Sequence, residues 1–204
     1  MPELREVKGS SAFAFGHSNA WPLPDTCGHG DFPLLSSVTT GGFSSSRFES
    51  VSVPSLTALP SQCFSSATLT AFSSDAVLSA GQRTFLGCKE LLSVSLPYLS
   101  GVQMAYTFFG CSALRRISIP RMSGTMGTYT CNGCSALEVL DMSLGTELVQ
   151  LTATNAFTSV PATCKIVVAD NLVATYKSAS NWSTYANQII GRTDAIAQGI
   201  ITGD

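Results

Sequence analysis

Cysteine offers the most chemistry in this 204-residue chain, which contains seven of them. Cys131 and Cys134 form a C-x-x-C pair, a spacing found in redox centres and zinc sites. However, Cys88, Cys111 and Cys134 follow one another at a constant interval of 23 residues. This regularity predicts that the cysteines are repeat positions pointing into a core, where free thiols behave as small hydrophobic side chains. Disulfides between neighbouring turns, and metal or redox chemistry, are the alternatives.

A second possible metal site lies near the N-terminus. Cys27, His29 and Asp31 alternate along the chain and could present ligands together on one side of a strand. No second ligand cluster with matching spacing follows, and His17 is the only other histidine. The two intervening glycines instead favour a turn here. The sequence therefore predicts no metal and no other cofactor.

Hydrolytic and phosphate chemistry has no sequence support. The chain has many serines, but it contains neither a G-x-S-x-G motif nor a glycine-rich phosphate-binding loop before a helix. Both histidines precede the regular part of the chain. Glu90, Glu138 and Asp141 fall on or beside regular positions that face solvent, so they do not form a glycosidase-like pair. We predict that the protein is not an enzyme.

The cysteines belong to a repeated phrase that organises the chain. Its clear copies occupy residues 84–97, 107–120 and 130–142, and each spaces its apolar residues as L-x-x-L-x-L. A constant period of about 20–29 residues with this spacing is typical of leucine-rich repeats. Weaker copies occupy residues 47–56 and 63–74, a degraded first turn ends at 32–35, and a last turn lies within 156–168. The prediction is a β-rich (α/β) solenoid of about six turns of 21–26 residues, over residues 32–170.

Each turn contains a short strand with one buried face. Val94, Ser95 and Leu96 alternate apolar and polar, which sends the hydroxyl outward when the apolar neighbours point inward. Proline ends such strands because it cannot donate to the ladder. The equivalent outward positions form our candidate binding surface: Ser50, Ser52, Ser73, Ser93, Ser95, Arg116, Ser118 and Asp141.

The two ends of the chain lack the repeat. Residues 1–31 are predicted to form an irregular N-terminal lead and cap, because a solenoid must cover the apolar edge of its first turn. Residues 171–204 are predicted to form a helical C-terminal cap and tail. Trp182, Tyr185 and Ile189 recur there at helical spacing and should seal the last turn.

Composition excludes several classes of partner. Hydrophobic residues make up 45% of the chain, charged residues only 12%, and the formal net charge is −2. This balance gives no basis for binding nucleic acid or anionic membranes, which require clustered Lys and Arg. No apolar run reaches the roughly 18–20 residues of a membrane helix, so no membrane insertion is predicted. The first residues lack the features of a signal peptide, and localisation stays unknown.

The repeat resembles that of a known family. The phrase A/T-F-x-G-C-x-x-L-x-x-I-x-I-P is similar to the repeat of BspA-type leucine-rich repeat proteins, which occur widely in gut and oral bacteria and in some protists. Residues 166–182 resemble the terminal segment of many bacterial members. The resemblance implies a right-handed β-rich solenoid and a role in binding, often adhesion to host or microbial surfaces. Members are commonly exported, whereas this chain shows no leader, a departure that a phage- or prophage-borne copy would fit.

Three functional hypotheses follow. The first is a non-catalytic protein-binding or adhesion module whose serine-rich sheet face meets a protein on a host or bacterial surface. The second is a structural component of a phage, prophage or envelope-associated assembly. The third is a carbohydrate-binding module, which is disfavoured because the outward strand positions carry no aromatic side chain.

Overall fold

The computed structural model describes residues 6–7 and 27–203, so most of the predicted N-terminal lead and cap lies outside the described residues. The described chain winds through successive turns, and all of its strand pairings are parallel. In chain order the strands are β1 (Glu6–Val7), β2 (Cys27–Asp31), β3 (Ser37–Val38), β4 (Phe48–Ser52), β5 (Ala58–Leu59), β6 (Ala71–Ser73), β7 (Ser79–Ala80), β8 (Ser93–Ser95), β9 (Val102–Met104), β10 (Arg116–Ser118), β11 (Gly124–Met126), β12 (Val139–Met142), β13 (Gln150–Leu151), β14 (Lys165–Val168) and β15 (Ile189–Gly191).

The strands divide into two sides. The even-numbered strands and β15 form the front side, with β2 paired to β4 and the others in a six-stranded sheet ordered β6-β8-β10-β12-β14-β15. The odd-numbered strands up to β13 form the rear side, as the pairs β1-β3 and β5-β7 and the sheet β9-β11-β13. The helices are α1 (Val173–Ser178), α2 (Arg192–Ala197) and 3-10 turns at Thr154–Phe157, Asp170–Leu172 and Trp182–Tyr185. Within the described ranges, no helix is long and apolar enough to cross a membrane.

The core between the two sides follows the predicted repeat register. In the front sheet Val94 pairs with Ile117, and Ile117 pairs with Leu140, each one turn further along the chain. These residues are at most 1% exposed, as are Leu91, Leu114 and Leu137. The predicted buried columns are therefore confirmed. Stacking equivalent side chains lets each turn fill the space left by its neighbour.

A ladder of phenylalanine rings runs through the same core. The rings of Phe43, Phe64, Phe85 and Phe108 stack with centroids 5.1, 5.6 and 5.6 Å apart. Each donates its main-chain N–H to the next turn, and Cys131 continues this pattern by donating to the Ala156 carbonyl at 2.7 Å. The cysteine therefore occupies a phenylalanine position, as the repeat alignment predicted.

Residues with positive φ turn the corners of the coil. Gly87, Gly110 and Gly133 form the predicted column, with φ between 72° and 81°. The structure adds a second such column that the sequence did not indicate, in which Arg83 and Tyr106 have φ of 59° and 55°. Side chains with a Cβ are disfavoured in this region. Here each main-chain N–H is paired with the next turn, Arg83 with the Ala105 carbonyl and Tyr106 with the Thr128 carbonyl, which offsets part of the strain.

The N-terminal end of the front side is a strand where we predicted a turn. Residues Cys27–Asp31 form β2, which pairs with β4 and places Gly30 opposite Val51. A Cβ on Gly30 would lie 2.9 Å from the Phe32 ring and 3.0 Å from the Phe48 ring. Gly30 therefore leaves room for two aromatic rings that pack against the strand, and it does not form a turn.

The C-terminal cap buries Trp182 as predicted, whereas Tyr185 is half-buried. Trp182 is fully buried and packs against Phe157 and Tyr176, with ring centroids 5.7 and 5.2 Å apart. The Trp182 indole donates to the Val149 carbonyl at 2.7 Å, and the Val149 N–H donates to the Tyr176 hydroxyl at 3.0 Å. The two aromatic residues thus cover the last turn and satisfy both main-chain polar groups of Val149.

The predicted helical position of Ile189 is wrong. Residues 189–191 form β15, which adds a further strand to the front sheet by pairing Ile189 with Ile166. The edge of β14 is open to pairing, and unpaired strand edges are costly. Residues 189–191 therefore pair with β14 and do not continue the helical spacing of the preceding residues. The cap is therefore part helix and part strand.

Candidate functional site

The front face is defined here as the outward side chains of the front strands. Over its first turns it is open, as alternation predicts. Ser73 is exposed, whereas Ser50, Ser52, Ser93 and Ser95 are half-buried beside their cross-strand neighbours. Strand pairing places Ser95 next to both Ser73 and Ser118, which makes a continuous row of short hydroxyl side chains.

The far end of the front face is covered, which corrects our prediction of an open face there. Residues 192–203, called the C-terminal segment below, fold back over strands β12 and β14. Ala195 and Ile201 pack against Val139 and Val167, and all four side chains are at most 8% exposed. The predicted tail thus packs through apolar side chains on the far end of the front face.

The predicted surface residues beneath the C-terminal segment make structural contacts. Asp141 is only 8% exposed, and its carboxylate accepts hydrogen bonds from the Ser118 hydroxyl at 3.3 Å and the Ser143 N–H at 3.0 Å. Arg116 is half-buried and donates from Nη2 to the Ile200 carbonyl. The expectation that Asp141 is a freely exposed charge is therefore wrong, because the C-terminal segment removes it from solvent.

A tight corner at Gly191 sets the direction of the C-terminal segment. Asp170 accepts from the Thr193 N–H at 3.0 Å and from the Thr193 hydroxyl at 2.7 Å. These hydrogen bonds, with a smaller contribution from the Arg192 charge, lower the pKa of Asp170. A Cβ on Gly191 would lie 2.4 Å from the Asp170 carboxylate, so the corner requires glycine.

Hydrogen bonds at the far end of α2 direct the chain back across the face. Gly199, with φ of 67°, donates to the Ile196 carbonyl, and Ile200 donates to the Ala195 carbonyl, both at 2.9 Å. This pair of bonds is a Schellman motif, which ends a helix and reverses the chain. Arg192 then holds the end of the segment by donating to the Gly203 carbonyl at 3.0 Å.

Two grooves indent the front face. The C-terminal groove has a volume of about 600 Å³, within the range of ligand sites, and lies between the serines of β8 and the C-terminal segment. Its lining includes Ser93, Ser95, Arg116, Asp141 and Arg192, with residues 199–202 forming one wall.

The N-terminal groove has a volume of about 500 Å³ and lies over strands β2 to β6. It is lined by Ser50, Ser52, Ser73, His29 and Asp75, among others. The His29 Nδ1 lies 2.8 Å from the Ser50 hydroxyl, the contact expected from their cross-strand pairing. Strand β2 does place His29 and Asp31 on one side, but no group of three or more potential metal ligands converges among the described side chains.

The thiols point into the core, as their spacing predicted. Of the seven cysteines, all except Cys27 have described side chains, and these six are free and buried. Cys88, Cys111 and Cys134 donate from Sγ to the phenylalanine carbonyls of the preceding turn, at 2.9, 3.0 and 3.1 Å. The C-x-x-C spacing thus follows from two adjacent core columns of the repeat.

Burial makes these thiols unreactive. A hydrogen bond with the neighbouring Cys111 thiol and then burial raise the pKa of Cys88, and the same two causes, with Cys134 as neighbour, raise the pKa of Cys131. Burial also raises the pKa of Cys164 to about 12. The thiolate is the nucleophilic form, so these cysteines should be inert while the protein is folded.

We therefore expect an aromatic disulfide reagent at pH 8 to modify none of the six buried cysteines rapidly in the native protein. All six should react within the mixing time after unfolding in guanidinium, because the thiols are then exposed to solvent and to the reagent. The measurement is the time course of released thiolate, with the single substitution Cys27→Ser removing the one cysteine outside this set. Fast native modification of Cys88 or Cys134, or stoichiometric zinc lost on Cys131→Ala, would contradict the core assignment.

An aromatic cluster lies at the side of the coil and was not predicted. The rings of Tyr106, Phe109 and Tyr129 are half-buried, with centroids between 5.2 and 6.0 Å apart. The Arg83 guanidinium lies over the Tyr106 ring at 4.9 Å. The 23-residue spacing of the two tyrosines was the available signal, since it matches the cysteine interval and places them in one column.

The stacked parallel strands, the repeat register and the buried leucine columns define a leucine-rich repeat solenoid. A family model described as the BspA type leucine-rich repeat region matches residues 36–160 in six copies. The match covers more than half of the chain, and the chain belongs to this family. No curated protein matches the chain significantly.

Proposed function

We propose that the protein is a non-catalytic binding or adhesion module that docks a protein partner on its front face. The observation that carries the proposal is the row of short hydroxyl side chains formed by Ser73, Ser95 and Ser118, which strand pairing places side by side and which line the two grooves. Members of the family are typically interaction or adhesion proteins and are generally non-catalytic. Solenoids commonly bind through their extended sheet surface.

The chemistry of the row suits a protein partner. Serine hydroxyls both donate and accept hydrogen bonds, so they can pair with main-chain groups or side chains of a partner. They lose little side-chain entropy when they are ordered, which lowers the cost of association. The two grooves add concave regions to this otherwise flat surface. A host or bacterial surface protein is the partner we propose.

The two grooves carry different charged side chains, so the two ends of the front face differ in charge. Asp75 and His29 are the titratable side chains that line the N-terminal groove, whereas Arg116, Arg192 and Asp141 line the C-terminal groove. A partner with the complementary arrangement would bind in one orientation, because like charges placed together cost free energy.

A carbohydrate-binding module is the second candidate, and the aromatic cluster of Tyr106, Phe109 and Tyr129 is the observation that favours it. Its rings pack at steep angles, with Phe109 and Tyr129 at 86°, so they do not form a flat platform for a sugar ring. Their exposure is also partial. A component of a phage or envelope assembly would still use a docking face, so it remains a variant of the first proposal.

Photo-crosslinking from defined positions tests the proposal. A benzophenone amino acid placed at Ser73 on the front face should give discrete protein adducts with extracts of target-cell surfaces. The same group at Gln103, an exposed position of rear strand β9, should give none. Excess unlabelled protein must compete the adducts away, and Ser73→Arg protein must fail to compete. Equal adducts from both positions would refute a front-face site, and binding to a glycan array without adducts would favour the carbohydrate alternative.

A further inference from the structure

The C-terminal groove has an excess of positive charge. Its charged lining consists of Arg116 and Arg192 against Asp141 alone. The Asp141 carboxylate already accepts two hydrogen bonds from the chain, from Ser118 and Ser143. Within the described residues, neither arginine forms an ion pair with a carboxylate. Among the described side chains, the groove therefore holds no carboxylate paired with either guanidinium group.

Both arginines keep donors for a ligand. A guanidinium offers five N–H donors. Arg116 uses one of them on the Ile200 carbonyl, and Arg192 uses two, on the Ser143 hydroxyl and the Gly203 carbonyl. These contacts fix the position of each guanidinium, so less entropy is lost when it binds a carboxylate.

The remaining lining suits a polypeptide. One wall is the C-terminal segment itself, where Ile201 and Thr202 have no main-chain hydrogen bond to the described part of the chain. Ser93 and Ser95 line the opposite side with hydroxyl groups. Extended peptides are commonly held by main-chain hydrogen bonds along such an edge, with side-chain pockets adding specificity. None of the described residues that line the groove is aromatic, so these residues offer no stacking surface for a sugar ring.

We propose that the C-terminal groove binds an extended acidic peptide segment, whose carboxylates pair with Arg116 and Arg192 and whose main chain lies between the β8 serines and residues 199–202. The proposal rests on the proposed function, because it names the chemistry that the partner presents to one part of the front face. Bidentate pairing of carboxylate with guanidinium supplies both affinity and orientation.

The test uses a fluorescein-labelled octapeptide of alternating valine and glutamate, and the matched octapeptide with glutamine in place of glutamate. Anisotropy titrations of the full chain should show saturable binding of the glutamate peptide. We expect binding of the glutamine peptide to be at least about tenfold weaker, since an amide cannot form the bidentate ion pair that a carboxylate forms with a guanidinium group. Affinity for the glutamate peptide should also fall with added salt, which a purely structural role for the arginines does not predict.

Single substitutions then locate the site. Arg116→Gln and Arg192→Gln should each weaken binding of the glutamate peptide by about tenfold or more. Arg121→Gln removes the same charge from an exposed position whose side chain lies over Tyr98, outside the groove, and should leave the affinity unchanged. Arg116→Lys keeps the charge but not the planar fork, so it should weaken binding less than Arg116→Gln. Unchanged melting temperatures establish that each variant is folded.

Three outcomes overturn the proposal: no binding of the glutamate peptide at about 1 mM, equal binding of the glutamine peptide, or no effect of either arginine substitution. The substitution Ser73→Arg separates this result from the front-face proposal, because Ser73 does not line the C-terminal groove. The Ser73→Arg protein should fail to compete the partner adducts away from the probe at Ser73, while it still binds the octapeptide. If the octapeptide does not bind the wild-type chain although the probe at Ser73 gives partner adducts, only the groove assignment is wrong.

Discussion

Replacing Ile117 with alanine is expected to lower the free energy of unfolding by about 2–5 kcal/mol. Ile117 is fully buried at the centre of β10, between Val94 on one neighbouring strand and Leu140 on the other. Truncation would remove apolar contacts on both sides and leave a cavity that the strands cannot close. Equilibrium urea unfolding, followed by far-ultraviolet circular dichroism, measures the loss.

Leu92→Ala is the matched control for this prediction. Leu92 lies in the preceding copy of the repeat but is 46% exposed, so alanine removes little buried surface there. We expect its cost to stay below about 1 kcal/mol, as for most surface substitutions. A similar cost for Ile117→Ala and Leu92→Ala would mean that the repeat register is wrong.

Truncating the chain after Asp170 is expected to cause self-association and a large loss of stability. The deletion removes α1, Trp182, β15 and the C-terminal segment together. Strand β14 then becomes an open edge, and Ile166, Val167 and Val168, now at most 1% exposed, lose their cover. Open strand edges template pairing with other chains. Size-exclusion chromatography with light scattering, and thermal melting, give the readouts.

Deletion of the last residue alone is the control for this prediction. Truncation after Gly203 keeps every contact described above for the cap and should remain monomeric, with the melting temperature of the full chain. If the protein truncated after Asp170 is also monomeric with an unchanged melting temperature, residues 171–190 are not a cap. These residues would then be the better candidate for the binding element, and the front-face assignment would fall.

The regular part of the fold could be read from the sequence because its constraints repeat. Once Cys88, Cys111 and Cys134 fixed the period, every inward position of one turn predicted those of its neighbours. Leu91, Leu114 and the buried thiols were found in this way. In a stack of similar turns each residue meets its own equivalents, so local spacing also specifies the tertiary contacts.

The parts that could not be predicted depend on contacts without a repeat. The pairing of Ile189 with Ile166 is decided by the open edge of β14, which local helical spacing does not reveal. The cover over Asp141 arises because Gly191 and the Schellman motif turn the C-terminal segment back over the face. Alternation correctly assigned Asp141 to the front face but could not show that another segment lies on it.

The same distinction applies to the candidate site. The serines at 50, 52, 73, 93 and 95 could be assigned to one face from alternation alone. The two grooves could not, because one includes a residue of β2, which was predicted as a turn, and the other has a wall formed by the C-terminal segment, which has no repeat. Arg192 was missed for this reason, although it lines the C-terminal groove beside the predicted Arg116.

The most direct test of the front-face assignment is the affinity of the partner identified from the Ser73 adducts for two matched triple variants. One carries Ser52→Arg, Ser73→Arg and Ser95→Arg on the front face, and the other carries Ser79→Arg, Gln103→Arg and Gln150→Arg on rear strands, with the same change in net charge. We predict that the front variant binds at least about a hundredfold more weakly than the wild type, whereas the rear variant binds within about twofold of it. Loss of binding in the rear variant, with binding retained in the front variant, would contradict the account.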